Sequence, residues 1–170
     1  MSLREPTTLD DLLNYRLLRL FALGGAPVVR LLEGRYGIAR REWRLLALLA
    51  ARGPMSPSAL AEAAQLDRPR TSRAAGVLAA KGLVQRQAQS GDARRAVLTL
   101  TEAGHQLHDD LFPQIAAINA RLVAVLDEAQ LAVLDQALAQ LTAHARQLNT
   151  ELAQDVRADR RAGGSRRIRR

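Results

Sequence analysis

The sequence predicts a mainly α-helical chain carrying one small β-hairpin. Three observations point there. Apolar residues recur at spacings of three and four along most of the 170 residues, the mark of helices with one buried face. Capping and stopping residues divide the central part into short helices. Only around residues 83–100 does the pattern become extended, with β-prone runs on either side of a turn.

Thr8, followed by Asp10 and Asp11, opens a first helix with a capping hydroxyl and carboxylates near the positive end of the helix dipole. Leu9, Leu12, Leu13, Leu17 and Leu20 form its stripe, and Gly24, Gly25 and Pro27 predict a kink before the pattern resumes from Val28 to Leu32. A second helix, Arg40 to Ala51, buries Trp43, Leu45, Leu46 and Leu49 and is stopped by Gly53-Pro54. Ser56-Pro57 caps a small helix that buries Leu60 and Ala61 and ends near Gln65. Asp67 caps the next helix, Arg68 to Lys81, with Ala74, Val77 and Leu78 facing inward and Gly82 as its stop.

The hairpin follows, Leu83-Val84-Gln85-Arg86 and Ala96-Val97-Leu98-Thr99-Leu100 around Gln89-Ser90-Gly91-Asp92. Thr101-Glu102 then starts a helix with Leu107, Leu111, Ile115, Ile118, Leu122 and Val125 in register, mildly interrupted at Pro113. Asp127 with Gln130 forms a capping box, and the last helix repeats Leu131, Leu134, Leu138, Leu141, Ala145 and Leu148. That repeat is a coiled-coil-like seam, buried either within the chain or against a second subunit. From Arg157 onward the chain reads as a disordered basic tail, able to touch phosphates without sequence preference.

At 48% hydrophobic the chain can bury one substantial core. The absence of cysteine excludes disulfides, thiolate metal sites and thiol catalysis. The N-terminus lacks a signal-like apolar stretch and the longest apolar run, Leu45 to Ala51, is too short to cross a bilayer, so a cytoplasmic protein is expected. Charge is uneven. Lys and Arg outnumber Asp and Glu by 12 to 4 over residues 35–95, are outnumbered by 2 to 8 over 96–156, and lead by 7 to 1 over 157–170. A basic middle between neutral and acidic helices suits a phosphate-facing surface, the alternative being a merely solvated basic face. Enzyme chemistry lacks parts: there is no glycine-rich phosphate loop, no serine in a nucleophile-type turn, and only three scattered histidines. No cofactor is expected. His105 and His108 have metal-compatible spacing, but no recognised ligand set surrounds them and no metal site is assigned.

Two helices of this length joined by about four residues form the helix-turn-helix pattern, whose second helix offers its first side chains to base edges. A hairpin directly after it is a wing. The fold class is therefore a winged helix-turn-helix with a helical dimerisation region. Its expected divisions are an N-terminal dimerisation helix (8–34), a winged DNA-binding domain (35–100), C-terminal dimerisation helices (101–156) and the tail (157–170). Arg70, Thr71, Ser72 and Arg73 are the candidate base readers, while Arg68, Arg86 and Arg95 position the backbone. Arg94 is expected at the minor groove or on phosphate, with Asp92 holding its guanidinium.

The runs Glu42-Trp43-Arg44-Leu45-Leu46, Leu60-Ala61-Glu62, Arg70-Thr71-Ser72-Arg73, Lys81-Gly82-Leu83-Val84, Gly91-Asp92-Ala93-Arg94-Arg95 and Leu100-Thr101-Glu102-Ala103-Gly104 resemble the MarR family of bacterial regulators. The resemblance covers roughly residues 8–150. It implies a homodimer interlocked through its first and last helices, bound at the nucleoid to a pseudo-palindromic double-stranded DNA operator, and a repressor released by a small ligand. It also implies a ligand pocket between the first two helices and the fifth. There Tyr15, Arg16, Arg19, Trp43 and Arg44 suit an anionic aromatic effector such as a carboxylate, or else form intersubunit ion pairs. Leu12, Leu131, Leu134, Leu138 and Leu141 are the expected dimer contacts. Two departures stand out, the Gly24-Gly25 break and Gly76 in the recognition helix, which costs about 1 kcal/mol relative to alanine. The rival reading is a nucleoid-architectural or protein-interaction module without a ligand switch.

Overall fold

The computed structural model describes residues 3–89 and 92–155, without the side chains of residues 88, 89, 92–95 and 155. The hairpin tip Ser90-Gly91 and the basic tail from Arg157 lie outside the described residues, and Asp92, Arg94 and Arg95 are described by their backbone alone. The chain divides into two compact units, Met1–Leu122 and Val123–Arg170. The first holds a 3-10 turn (Leu9–Asp11), α1 (Leu13–Arg35), α2 (Arg40–Arg52), α3 (Pro57–Ala63), α4 (Arg68–Ala80), β1 (Val84–Gln89), β2 (Asp92–Leu100) and nearly all of α5 (Glu102–Val123). The second is built on α6 (Glu128–Asp155). The boundaries expected near residues 34 and 100 therefore fall inside the first unit. No described helix is long and apolar enough to cross a membrane.

The first helix does not begin at Thr8. One oxygen of the Asp11 carboxylate accepts hydrogen bonds from the backbone N–H and hydroxyl of both Thr7 and Thr8, at 2.8–3.2 Å. This winds the segment into a turn of its own. Leu12 then leaves the turn in extended conformation, at ψ 126°, and α1 starts one residue later. The Asp11 carboxyl is thereby held below its ordinary value of 3.8, chiefly by the Thr8 hydroxyl.

α1 passes through Gly24, Gly25 and Pro27 as one uninterrupted helix, so these residues do not end it. The glycines serve close approach instead. A Cβ at Gly24 would stand 3.0 Å from Leu122, and one at Gly25 would stand 2.6 Å from the Arg40 guanidinium. The N-terminal leucines of the expected stripe, Leu9, Leu12, Leu17 and Leu20, remain exposed in the single chain, and only Leu32 of this helix is fully buried.

The core gathers Leu32, Leu45, Leu46, Leu60, Leu78, Leu98 and Leu111, all essentially without solvent contact. α4 contributes Thr71, Ala74, Ala75 and Leu78 at helical spacing, whereas Val77, expected inward, is 41% exposed because it lies one position off that stripe. β1 and β2 pair antiparallel with Val84 opposite Leu100, and Met55 adds a two-bond bridge to Leu98 that ties the start of the helix-turn-helix to the hairpin. In α5, Leu111 is buried and Leu107 and Ile115 pack against the core, while Val125 falls beyond the helix and stays 85% exposed. Asp127 and Gln130 form the expected capping box of α6, exchanging hydrogen bonds of 2.8 and 3.0 Å. Leu134, Leu138, Leu141 and Leu148 of that helix are exposed in the single chain.

The turn from β2 into α5 is closed by Thr101. Its hydroxyl donates to the Gly82 carbonyl at 2.7 Å and accepts from the Gly104 N–H at 3.1 Å. At Gly104 a Cβ would lie 2.1 Å from the Leu83 carbonyl oxygen, a backbone atom held by the Thr101 N–H. Gly104→Ala is therefore expected to lower stability by about 3 kcal/mol, the upper end of overpacking costs. Gly76, with open space around it, sets the contrast: Gly76→Ala is expected to raise stability by about 1 kcal/mol. Chemical denaturation of the two variants checks both signs. The lowered Asp11 pKa means that its contribution to stability is complete above pH 3.8 and lost as pH falls through the lowered value. An NMR titration of the Asp11 carboxyl should give a midpoint under 3.8, and an unshifted midpoint would refute the four-bond turn.

Candidate nucleic-acid interface

The reader is assembled from two capped helices. Ser56 Oγ accepts from the Ala59 N–H at 3.2 Å and Asp67 Oδ1 from the Arg70 N–H at 2.8 Å, while Pro57 and Pro69 occupy first-turn positions that need no donor. Between the helices Gln65 takes a left-handed backbone, φ 53°, which lets the chain turn within four residues. The inward stripe of α4 then leaves Arg68, Arg70, Ser72, Arg73, Gly76 and Val77 on its open face.

The expected readers separate on this geometry. Arg68, Arg73 and Arg86 are exposed and carry no ion pair among the described residues. Arg70 is exposed too, its Nε 3.2 Å from Asp67, an exposed pair worth under about 1 kcal/mol. Thr71 is a correction. It is 1% exposed and its hydroxyl donates to the Asp67 carbonyl at 3.0 Å, so it packs and caps rather than facing outward. Arg68, Ser72 and Arg86 line one small groove of about 120 Å³ together with Ser58, a residue that sequence reasoning passed over. Only the fold brings the first turns of α3 and α4 against the root of the hairpin.

A larger cleft of about 430 Å³ opens between α1 and α2, lined by Phe21, Gly25, Val28, Arg40, Trp43, Arg44, Ala47 and Leu48. Its size falls within the roughly 300–1,000 Å³ of small-molecule sites. Arg40 lies with its guanidinium 4.5 Å from the centre of the Phe21 ring and against the backbone of Gly25, with no carboxylate partner among the described residues. Trp43 stacks on His108 at 5.7 Å, and His108 in turn on Phe112 at 5.4 Å, a ladder that joins α2 to α5. Arg44 lines the cleft and also donates from Nη1 to the Ala64 carbonyl at 3.0 Å.

Of the five expected pocket residues, the structure brings Trp43 and Arg44 to this cleft. Tyr15, Arg16 and Arg19 do not line it. Arg16 donates to the Asp10 carbonyl and approaches Asp11 at 3.5 Å, and Arg19 pairs with Asp10 at 2.9 Å, so both brace the N-terminal turn. Phe21 and Arg40 take their places. The signal that could have found Arg40 is its i, i+4 pairing with Arg44 on a helix whose other face is apolar, while Phe21 on α1 carries no such signal. No group of three or more metal-ligating side chains gathers among the described residues.

Comparison with known proteins agrees with this architecture. The sequence profile of the MarR family matches residues 36–95. The HTH-type transcriptional regulator FarR of Neisseria gonorrhoeae is 31% identical over 104 residues, covering 61% of this chain and 71% of that protein. A MarR family transcriptional regulator from Silicibacter pomeroyi superposes with a TM-score of 0.71 at 25% identity, over 81% of this chain and 92% of that one. BpsR of Bordetella bronchiseptica, whose DNA binding is regulated by 6-hydroxynicotinic acid, superposes equally well, TM-score 0.71, at 18% identity over 81% and 98% of the two chains. With a winged helix-turn-helix of this composition and a relative of this similarity, the chain belongs to the MarR family of transcriptional regulators.

Proposed function

We propose that the protein is a cytoplasmic, sequence-specific repressor that binds operator DNA as a homodimer and releases it when a small aromatic carboxylate enters the α1–α2 cleft. The observation that carries the DNA part is the open face of α4. There Arg68, Ser72 and Arg73 stand exposed, with Arg86 beside them on β1, on the segment 35–95 whose Lys and Arg outnumber its Asp and Glu by 12 to 4. Arg73 and Ser72, exposed on the helix, read bases, while Arg68 and Arg86 grip phosphate. The wing arginines Arg94 and Arg95, with Asp92, extend the contact along the duplex.

The dimer reading rests on α6 and on the N-terminal leucines. Leu134, Leu138 and Leu141 are each 41–42% exposed and repeat at spacings of four and three, and Leu12 is 45% exposed beside α1. A second copy of the chain covers such a seam with its own. Support for the effector lies in the Arg40 guanidinium, which has no carboxylate partner among the described residues and lines one cleft with Trp43. A flat ring packs on the apolar wall and its carboxylate meets the guanidinium. BpsR, of the same fold, responds to an aromatic carboxylic acid.

Two experiments test this reading. Arg73→Ala is expected to weaken specific binding by about 1–3 kcal/mol and to blur preference at one base position, whereas Arg86→Ala lowers affinity for all sequences and flattens the salt dependence by about one unit of slope. Competition titrations against random duplex read both, and a protein that keeps no site against that competitor is an architectural binder instead. Leu134→Asp combined with Leu141→Asp should separate the dimer in sedimentation velocity and abolish binding to a pseudo-palindrome whose half-sites lie about 10 base pairs apart. A double variant that stays dimeric and binds normally places the interface elsewhere.

A further inference from the structure

We propose that Arg44 is the relay between cleft and reader: a carboxylate seated between Arg40 and Arg44 draws the Arg44 guanidinium off the Ala64 carbonyl and frees the turn between α3 and α4. The inference rests on the effector reading above and supplies what that reading lacks, a physical path from ligand to DNA.

Arg44 is the one cleft-lining residue with a described hydrogen bond into the helix-turn-helix. Its side chain borders the cavity, and its Nη1 donates at 3.0 Å to Ala64, the residue that caps the C-terminal end of α3. The next residue, Gln65, is the only non-glycine with a positive φ among the described residues. Such a backbone is strained for a residue with a Cβ and persists only while its surroundings hold it. Four hydrogen bonds hold it. The Gln65 N–H and side-chain amide both donate to the Glu62 carbonyl, the Leu66 N–H donates to Ala61, and Arg44 fixes Ala64 from the α2 side. The turn is the joint that sets α4 against α3, so its shape determines where Arg73 meets a groove.

The ordering of bond strengths gives the direction. The Arg44–Ala64 bond joins a cation to a neutral carbonyl, while a carboxylate in the cleft offers the same guanidinium an opposite charge and two parallel N–H···O bonds in place of one. Arg40, one helical turn earlier on α2, provides the second cation for that carboxylate. Arg40 already has its own support on Phe21 and Gly25, so Arg44 is the side chain whose rearrangement costs a contact elsewhere.

Benzoate, the simplest planar aromatic carboxylate, and a duplex selected by the wild-type protein from a random-sequence pool suffice for a test. Without benzoate, Arg44→Met is expected to weaken binding to that duplex about tenfold, a loss of about 1.4 kcal/mol, and to speed amide exchange at residues 64–66. Benzoate is expected to do both to the wild type and neither to Arg44→Met, while quenching Trp43 in each through Arg40. Arg44→Lys, which keeps a donor for the Ala64 carbonyl, is expected to restore affinity for the duplex and guards against reading a folding defect as a lost relay. If Arg44→Met still releases DNA on adding benzoate, or if benzoate slows exchange at 64–66 in the wild type, the relay is wrong while the cleft remains an effector site. A wild type whose Trp43 emission and DNA affinity both ignore benzoate would falsify the effector reading and the relay with it. A normal exchange pattern in Arg44→Met would show that the tether itself does nothing.

Discussion

The arrangement depends on one close approach, the first turn of α5 against the junction of α4 and β1. Gly104 leaves no side chain where the Leu83 carbonyl must pass, Thr101 bonds the Gly82 carbonyl, and the Thr101 N–H reaches Leu83. Gly82 itself ends α4 with a positive φ of 69°. Recognition helix, wing and the long helix after it therefore meet at two consecutive backbone positions, Gly82 and Leu83. The side chains of Leu78, Val84, Leu98 and Leu100 fill the space this junction encloses. Open that contact and the wing loses its base while α4 loses its stop.

A second constraint works from the other side of the core. Lys81 is the only lysine in the chain, and its ammonium donates to Glu42 at 2.6 Å and to the Gly37 carbonyl at 2.7 Å. Glu42 in turn accepts from the Ala39 N–H at the start of α2. A compact ammonium on a flexible stem can serve two acceptors set at an angle, which the flat fork of arginine does less well. The end of α4 is thus held by the beginning of α2. The end of α3 is held there as well, by Arg44. The first turns of α2 hold both reader helices and also form one wall of the cleft.

Much of this was legible in the sequence, for reasons that differ by residue. Ser56, Asp67 and the Asp127–Gln130 pair announced helix starts because a cap acts over three residues and needs no tertiary partner. The open arginines of α4 followed once its apolar stripe was in place. Thr71 misled because a threonine in the first turn of a helix is ambiguous: its hydroxyl can look outward or turn back to the i−4 carbonyl, as it does here. Val77 misled by one position in a helix whose small alanines carry little periodic contrast. The glycine pair in α1 was read as the place of a kink because spacing reports local propensity alone. Its use, making room for Leu122 and Arg40 on neighbouring helices, appears only when those helices are in place. The same limit hid Phe21 from the cleft and His108 from its stack on Trp43, since residues so far apart in the chain meet only through packing.

The arrangement also explains how a rigid reader can be adjusted without being unfolded. Its core is filled by side chains that exclude solvent almost completely, and such a core transmits displacement rather than absorbing it. The cleft side of α2 is different. Phe21 is half exposed, Arg40 and Arg44 are only partly covered, and their guanidiniums rest on a ring face and a carbonyl oxygen rather than on a carboxylate. Polar tethers of that strength, about 1 kcal/mol each, can be exchanged for ligand contacts at little net cost, whereas repacking Leu45 or Leu46 would cost several times more. Control of the reader is therefore expected where charged side chains span the gap between helices, and the apolar core serves to carry the resulting shift to α4.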